Sequence, residues 1–458
     1  AQPVLTRSEF LETSLVSANE MDVAIEHPEL GTANMMGLPV NVTSAPGGVT
    51  KPAPLLGQHT EQVLADWSQP SAQAGTAAIV PKEIVTGSGE RPLAGMRVID
   101  LASFIAGPVV SRHLGMLGAD VIKVEAPAGD DTRQWGPPFI ERDGDKTAAY
   151  YYAANRGKTC VTSDFRTEEG QAQVRELIKD ADILIENFKV GGLAKYGLDY
   201  DSLKALNPRL IYCSITGFGQ DGPYAKRAGY DFLLQGMSGL MSITGEPDRQ
   251  PQKVGVAVTD VVTGLYGTIG ILAAVEQRHR TGLGQHIDMS LLDCATAMLA
   301  NQAMNFLATG ESPERRGNAH PNIAPYQVLP TADGHFILAV GNDGQFQRFC
   351  DVIGREDLRD NAEFATNQLR VKNRDTLTAE IEAETGKWEK DALLSALEAA
   401  TVPAGPINSV GEAFSDAQLK HRGMEIAPEG VKGVRGPWVF SDAELALDKS
   451  APTLPKHA

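Results

Sequence analysis

Asp260 is the residue whose type and position are best suited to chemistry. It lies where a run with alternating valines, Val254, Val256 and Val258, changes into a long helical pattern. The alternation predicts an extended approach, and the later apolar spacing predicts a helix with Asp260 at or beside its N-terminus. Unpaired N–H groups and the positive end of the helix dipole favour a carboxylate there. We therefore expect the pKa of Asp260 to be lowered and its ionised form to be available as a nucleophile.

The same pattern has a simpler interpretation. Asp is a preferred N-cap residue, so Asp260 could begin the helix without taking part in a reaction. Gly264, Gly267 and Gly270 leave a stripe of bare backbone along the helix, which indicates close packing against a neighbouring element. The local pattern favours the N-cap, so support for a nucleophile must come from the rest of the chain.

The composition restricts the class of protein. The chain has 458 residues, enough for two or three domains, and its formal net charge of −17 disfavours nucleic acid and anionic membrane surfaces as partners. An anionic ligand therefore needs a local basic patch. The four cysteines lie far apart, which argues against a zinc site and a disulfide framework and fits a reducing cytoplasm. We expect no membrane span, because no run of about 18 apolar residues stands out, and no signal peptide.

Strand and helix patterns alternate after Arg91. Apolar runs of β character separated by amphipathic stretches predict an α/β fold with a doubly wound, Rossmann-like parallel sheet. The runs span 97–101, 120–125, 159–165, 182–188, 209–215 and 286–292. A ligand crevice is expected at the carboxyl ends of such strands. The first turn, LASFIAGP, does not match G-x-G-x-x-G, so the sequence does not support a nicotinamide or flavin cofactor.

The chain divides into five segments by composition. They are 1–68, a linker at 69–90, a large domain at 91–300, a smaller α+β domain at 311–405, and a return to the large domain at 406–458. The linker is predicted because its residues are small, polar and aperiodic. The run APLLGQH at 53–59 echoes APTLPKH at 451–457. The two ends of the chain are therefore expected to follow a similar plan.

Several motifs, in this order and spacing, resemble the class III CoA-transferase family, which also contains the α-methylacyl-CoA racemases. They are PLAGMRVIDLASFIAGP, LGADVIKVEAP, GDDTRQWGPPF, AANRGK, LIENFKVGGL, SITGFGQDGP and TGLGQHIDMSLLD. The resemblance extends from Arg91 to the C-terminus. Residues 1–68 resemble a second copy of the family's C-terminal segment, as in a tandem fusion. A dimethylsulfoniopropionate CoA-transferase/lyase is one such tandem member.

The resemblance implies a covalent reaction at Asp260. In family transferases the nucleophile is a carboxylate that opens a Gly-rich helix, and Asp260 in VTDVVTGLYG matches it. The implied intermediates are mixed anhydrides and an aspartyl-CoA thioester. Coenzyme A is then a co-substrate carried by an acyl-CoA donor to a small carboxylate acceptor, with no tightly bound cofactor and no metal. The candidate N–H donors for the oxyanions are the backbone at Ala106 and Gly107 and the loop at 317–318.

An acidic protein must gather cations to hold the CoA phosphates. Candidates follow strand ends or begin helices in the large domain. They are Arg133, Arg156, Lys158, Arg166, Lys189 and Lys195. For about half of them, a solvated surface position is the favoured interpretation. Asn187 and Phe188 match family positions along the adenine and pantetheine path, and Phe104 and Ala106 in the first loop are assigned to the same CoA site.

Tyr230 separates the transferase from the racemase. A racemase of this family uses the His of a G-H-D motif together with the carboxylate that matches Asp260. Here the motif is Gly229-Tyr230-Asp231, and tyrosine, with an ordinary pKa of about 10, is a poor proton shuttle at neutral pH. The substitution favours a transferase. Tyr230 is kept as a residue of the catalytic site and Asp231 as a structural one.

A coupled lyase is the other alternative. A sulfonium substrate such as dimethylsulfoniopropionate would need an aromatic cage, for which Trp135, Tyr150, Tyr151 and Tyr152 are suitable in type. Core or interface packing better explains two of the four. The family resemblance also implies an interlocked-ring homodimer. The composition predicts a cytoplasmic protein without nucleic acid or membrane partners, and the resemblance implies that it is a homodimeric CoA-transferase.

Overall fold

The computed structural model describes residues 90–455, three strands at Asp22–His27, Gly31–Met36 and Val40–Val42, and residues 13, 16, 55, 58, 61, 62 and 65. The linker predicted at 69–90 lies outside the described residues except for its last residue. The described residues form two compact units. The first comprises those within Ala1–Leu240, Lys253–Pro313 and Gly423–Ala458, and the second comprises Met241–Gln252 and Glu314–Arg422.

Elements are labelled in chain order over the described residues. The strands are β1 Asp22–His27, β2 Gly31–Met36, β3 Val40–Val42, β4 Arg97–Asp100, β5 Asp120–Glu125, β6 Phe139–Arg142, β7 Asp145–Ala148, β8 Thr159–Thr162, β9 Ile183–Glu186, β10 Ile211–Thr216, β11 His286–Ser290, β12 Tyr326–Thr331, β13 Gly334–Ala339, β14 Ala404–Pro406, β15 Glu425–Ile426 and β16 Gly433–Val434. The α-helices are α1 Ala106–Met116, α2 Ala149–Asn155, α3 Glu168–Lys179, α4 Tyr200–Leu206, α5 Asp231–Met237, α6 Val258–Thr281, α7 Leu291–Ala297, α8 Ala300–Thr309, α9 Asp343–Val352, α10 Glu356–Arg359, α11 Asn367–Lys372, α12 Arg374–Thr385, α13 Lys390–Ala399, α14 Val410–Ser415 and α15 Ala417–His421.

A parallel sheet forms the centre of the first unit. Its order is β3-β11-β10-β9-β4-β5-β8, in which β11 to β8 are parallel and β3 is antiparallel to β11. Alternate residues of β9 enter different cores: Ile183 and Ile185 lie in the core that includes α1 and α6, and Leu184 lies in the core that includes α3 and α4. Helices therefore cover both faces of the sheet. The predicted α/β class with a parallel sheet is confirmed.

Helix α6 packs closely against α1 because the predicted glycine stripe faces it. A Cβ on Gly264 would lie 2.5 Å from Val109 Cγ1, and one on Gly267 would lie 3.0 Å from Val110 Cγ2. Real Cβ atoms do not approach carbon that closely, so the bare backbone sets the distance between the helices. Gly264 and Gly267 of the stripe thus form a packing face, as their spacing predicted.

The start of α6 differs from the prediction in two ways. The helix begins at Val258 after the N-cap residue Ala257, so Asp260 is the third residue of the first turn and the N-cap interpretation is wrong. Residues 251–257 form no strand, so the extended approach is not regular β structure. Asp260 therefore lies in the first turn of the helix without acting as its cap.

Helix α6 also corrects the expectation about apolar runs. Within the described residues it is long and apolar enough to cross a membrane by length and composition, with a mean hydropathy of 1.6 over 18 residues. Half of that window is buried inside the protein, where the glycine stripe packs on α1. A core helix has the same composition as a membrane span, so the run is explained by packing.

The second unit contains an antiparallel sheet, β12-β13-β14, and helices α9 to α15. Its core includes Phe336 and Leu338 of β13, Phe349 of α9 and Leu393 of α13. Strands such as β13 and helices such as α13 agree with the α+β character predicted for the smaller domain. The unit continues to Arg422 and includes Met241–Gln252, whereas the sequence predicted a boundary at 405, because α14 and α15 follow β14 within the same unit.

Candidate active site

A cleft of about 280 Å³ lies at the carboxyl ends of the parallel strands, where the sequence predicted a crevice. Residues that end or follow β4, β9, β10 and β11 line it. They are Phe104, Ala106, Asn187, Phe188, Lys189, Val190, Ile215, Thr216, Gly217 and Leu291. Asp260 contributes from the first turn of α6, and Tyr230 from the residue before α5. The two predicted catalytic residues thus share one cleft with Phe104, Ala106, Asn187 and Phe188.

The carboxyl group of Asp260 has an environment opposite to the predicted one. Burial, together with the negative charge of nearby Asp231, raises the pKa of Asp260 to about 7. The prediction of a lowered pKa is therefore wrong. Asp260 does lie in the first turn of a helix, but the loss of water around the carboxylate outweighs the helix terminus. A carboxylate of this basicity is a stronger nucleophile than an ordinary one once it is ionised.

Asp231 and Gln235 of α5 hold the start of α6. Asp231 Oδ1 accepts a hydrogen bond from the backbone N–H of Thr259 at 2.8 Å, and its Oδ2 accepts one from Gln235 Nε2 at 2.7 Å. Gln235 Oε1 accepts from the backbone N–H of Val254 at 2.9 Å. Asp231 therefore satisfies an N–H of the first turn in place of a side-chain cap, which agrees with the structural role expected for it.

Two glycines bring Tyr230 to the cleft. A Cβ on Gly217 would lie 2.7 Å from Gly229 Cα, and one on Gly229 would lie 2.6 Å from Gly217 Cα. The loop before α5 therefore touches the backbone just beyond β10, which only glycine allows. Tyr230 is 60% exposed at the edge of this contact and its ring lies 6.0 Å from that of Phe104.

The loop that follows β4 is held in a strained conformation. Phe104 has a φ of 67°, which is unusual for a residue with a large side chain. Asn187 binds the preceding residue twice: its Nδ2 donates to the carbonyl of Ser103 at 2.7 Å and its Oδ1 accepts from the Ser103 N–H at 2.9 Å. Lys123 Nζ donates to the carbonyl of Ala102 at 2.7 Å. Asn187 thus positions the cleft wall as well as lining it.

The first turn of α1 offers N–H groups to the cleft. Over residues 90–455, the backbone N–H groups of Ala106 and Gly107 donate to no other protein group, as expected at a helix N-terminus. Ala106 lines the cleft itself. In the other predicted donor loop, the N–H of Gly317 already donates to the carbonyl of Gly245 at 3.1 Å within the second unit. The Gly317 N–H is therefore not an available oxyanion donor.

Two predicted CoA-binding cations are buried and paired away from the cleft. Lys158 Nζ lies 2.9 Å from Asp100 Oδ2 and donates to the carbonyl of Pro108 at 3.0 Å, and burial lowers the pKa of Lys158 to about 8. Arg133 binds Glu125 at 2.7 Å, with both side chains almost fully buried. This placement does not support phosphate binding. Lys158 instead anchors α1 to the end of β4, because Asp100 also accepts from Ser111 of α1 at 2.6 Å.

Of the other four predicted cations, three are exposed on the first unit and one is largely buried. Arg166 is exposed and paired with Asp164 at 2.8 Å. Lys195 is exposed, with its ammonium group 4.7 Å from the ring centroid of Tyr196. Arg156 is largely buried and donates to the carbonyl of Val434 at 2.8 Å. Lys189 is exposed and does line the cleft.

Aromatic rings extend from the cleft in a chain. The ring of Phe104 lies 5.5 Å from that of Trp135, which lies 5.2 Å from that of Tyr150. Burial and the charges of Asp260 and Asp231 raise the pKa of Tyr150, so its hydroxyl lies in the electrostatic field of the site. Trp135 and Tyr150 are partly exposed, whereas Tyr151 and Tyr152 are buried among core residues. Two of the four aromatic candidates are thus packing residues.

Sequence reasoning missed Arg227 and a second cavity. Arg227 lines the cleft, and its sequence neighbourhood carries no strand or helix pattern that would have marked it. A larger cavity of about 810 Å³ adjoins the cleft, and Phe188, Lys189 and Val190 line both. Among the described side chains, no group of three or more His, Cys, Asp or Glu could hold a metal ion. Asp260 is the carboxylate among the residues that line the cleft.

The family model described as CoA-transferase family III matches residues 1–60 and 93–458. The chain belongs to CoA-transferase family III. A succinate–glutarate CoA-transferase from Agrobacterium fabrum is 56% identical over 374 residues, which cover 80% of this chain and 94% of that protein. A succinyl-CoA:glutarate CoA-transferase from Mus musculus is 40% identical over 378 residues, covering 80% of this chain and 85% of that protein. This membership establishes an enzyme that transfers CoA between an acyl-CoA and a carboxylate.

A solved structure agrees with this assignment. The CAIB/BAIF family protein from Brucella suis is 60% identical, with a TM-score of 0.74 over 80% of this chain and 96% of that one. The family resemblance inferred from the motifs is thereby confirmed over most of the chain.

Proposed function

We propose that this CoA-transferase moves CoA from succinyl-CoA to a short dicarboxylate such as glutarate. Curated relatives support the substrate class: they are named for succinate with glutarate, mesaconate or D-citramalate, and for acetyl-CoA with oxalate. Each named acceptor carries two carboxylates. We also propose that the enzyme works as a cytoplasmic homodimer, which light scattering would test; a stable and active monomer would contradict this part.

The mechanism proceeds through covalent intermediates on Asp260. The ionised carboxylate attacks the thioester carbonyl of the donor, and the C–S bond breaks to leave a mixed anhydride and CoA thiolate. The thiolate then attacks the aspartyl carbonyl and releases the donor carboxylate, which leaves an aspartyl-CoA thioester. The acceptor carboxylate attacks this thioester and releases CoA thiolate, which attacks the acyl carbonyl of the new anhydride. The products are the acceptor thioester and free Asp260.

The observation that carries this proposal is the environment of Asp260 in the cleft. With a pKa raised to about 7 by burial and by Asp231, a substantial fraction of Asp260 is ionised at neutral pH and is unusually basic. The N–H groups of Ala106 and Gly107 at the start of α1 would stabilise the oxyanions that form at each step. The neighbouring Tyr150 hydroxyl is a further candidate donor.

Trapping the acyl group tests the mechanism. Incubation with succinyl-CoA and no acceptor, followed by hydroxylamine, should convert Asp260 to a hydroxamate on the tryptic peptide 254–278. Asp260→Ala is the control and should show no adduct. An unmodified Asp260 in an enzyme that still transfers CoA would overturn the covalent mechanism.

The same preparation separates the alternatives. A racemase would introduce solvent deuterium at the α-carbon of a 2-methylacyl-CoA without forming an adduct. Tyr230 stands where that reaction uses a histidine, so we expect no exchange. A coupled lyase would release dimethyl sulfide from dimethylsulfoniopropionate in the presence of a donor acyl-CoA, and we expect none above the level of the Asp260→Ala control.

A further inference from the structure

We infer that Arg227 binds the distal carboxylate of the dicarboxylate substrate and so determines the preference for dicarboxylates over monocarboxylates. This inference rests on the proposed function and names a residue that recognises its substrate class. Arg227 lines the same cleft as Asp260. One end of a dicarboxylate would then react at Asp260 while the other end binds Arg227.

The position of Arg227 is fixed by aromatic packing. Its Cζ lies 4.2 Å from the ring centroid of Tyr224 and 5.7 Å from that of Phe218. The two rings contact each other edge to face at 5.6 Å, and Phe218 is fully buried just beyond β10. The backbone N–H of Arg227 also donates to the backbone carbonyl of Tyr224 at 2.8 Å, which closes a tight turn at this point of the chain. Ring contact on one face leaves the in-plane N–H donors available.

Arg227 has no acidic partner within the described residues. Its guanidinium forms no hydrogen bond or ion pair there, although the side chain is half-buried. Several other arginines of comparable or greater burial do bind carboxylates. These pairs are Arg133–Glu125, Arg278–Asp182, Arg355–Asp357 and Arg370–Asp343. A guanidinium that lines a cleft without such a partner is suited to a carboxylate supplied by the ligand.

The two cations of the cleft differ in what they can recognise. Lys189 is exposed and lies on the wall shared with the larger cavity, so it suits a solvated phosphate of CoA. Arg227 presents a planar fork that matches the two oxygens of a carboxylate, whereas an ammonium group acts as a point charge. The chemistry therefore assigns the carboxylate to Arg227. Lysine at this position should recognise it less well.

The test compares paired substrates that differ only in the distal carboxylate. Steady-state kcat/KM is measured with glutarate and valerate as acceptors, and with succinyl-CoA and butyryl-CoA as donors. For Arg227→Met we expect a loss of about 100-fold or more with each dicarboxylate and a change of less than about threefold with each monocarboxylate. Arg227→Lys should lose activity with dicarboxylates to an intermediate extent. Where a monocarboxylate is not turned over, its inhibition constant replaces kcat/KM.

Lys226→Met is the matched control, because it removes the same charge from the adjacent exposed residue, which does not line the cleft. We expect it to retain wild-type selectivity. Equal losses of kcat/KM with dicarboxylates and monocarboxylates in Arg227→Met would overturn the inference. A loss of kcat/KM that disappears when dephospho-CoA thioesters are used would also overturn it, because that result would assign Arg227 to the CoA phosphate. Wild-type enzyme that transfers CoA only among monocarboxylates would instead refute the proposed function before any variant is made.

Discussion

Replacing Asp260 by asparagine should abolish transfer and at the same time make stability less sensitive to pH. The side chains have nearly the same shape, so the change removes the titrating group and the nucleophile together. Burial and Asp231 raise the pKa of Asp260 to about 7, against an ordinary value of 3.8. In the wild type, the unfolded chain loses its proton at lower pH than the folded protein does. Ionisation of Asp260 therefore opposes folding.

The sign and size of the effect follow from these two values. Because the folded pKa is raised, the contribution of Asp260 to stability is full below pH 3.8 and is lost as the pH rises to about 7. Between pH 5 and pH 8 the wild type should lose about 2–3 kcal/mol through this group. Asp260→Asn has no carboxyl group to titrate at this position, so it does not lose this stability as the pH rises. The free energy of unfolding of the variant relative to the wild type should therefore increase by about 2–3 kcal/mol over the same range.

Urea unfolding at pH 5, 6, 7 and 8 measures the difference, and transfer from succinyl-CoA to glutarate measures activity. Buried carboxyls distant from Asp260 titrate alike in both proteins and cancel in the comparison. Asp180→Asn, at an exposed residue after α3, removes the same charge and should give a flat difference and full activity. A flat difference for Asp260→Asn would refute the raised pKa. Activity within about tenfold of the wild type would refute the nucleophile.

Three further changes test the elements around the site. Asn187→Asp should lower kcat by about tenfold or more, because a carboxylate oxygen would face the Ser103 carbonyl where an N–H donor now lies. Unchanged kcat would show that the loop after β4 does not need the Asn187–Ser103 hydrogen bonds. Lys123→Met should destabilise the first unit by about 3–5 kcal/mol in urea unfolding, because it leaves buried carboxylates without their cation. Gly264→Ala should destabilise by about 1–3 kcal/mol, since its Cβ would meet α1. Gly411→Ala is the control: nothing lies within 4 Å of the added Cβ, so the change should be neutral or stabilising by up to about 1 kcal/mol. Changes in stability of the same sign for Gly264→Ala and Gly411→Ala would contradict the packing argument.

The parallel sheet and its crevice were predictable because they depend on local periodicity. Runs such as 120–125 and 286–292 correspond closely to β5 and β11, since buried parallel strands are continuous apolar segments. The glycine spacing in α6 likewise predicted a packing face, because three-residue spacing keeps side chains on one side of a helix. Because Asn187 and Phe104 follow the ends of two parallel strands, the sequence pattern alone predicts that both lie at the carboxyl edge of the sheet.

The charged groups were not predictable to the same extent. Arg133 and Lys158 follow strand ends in the sequence, yet they pair with Glu125 and Asp100, and Lys158 and Asp100 are separated by 58 residues. A cation near a crevice binds a ligand only if no nearer carboxylate neutralises it, and the sequence does not state which carboxylates are near.

The sequence by itself predicted the class of fold and the family, both of which are confirmed, and it singled out Asp260 as the candidate nucleophile. Tertiary structure alone decided its acidity. The helix terminus at Asp260 is a local feature and predicts a lowered pKa, but desolvation depends on every chain segment packed around the carboxyl group, and the charge of Asp231 arrives from a separate helix. The same holds for Arg227, whose proposed role depends on its stacking over Tyr224 and on its place in the cleft lining. Solvent exclusion and charge proximity are sums over neighbours in space, so they follow from the folded chain and not from its local pattern.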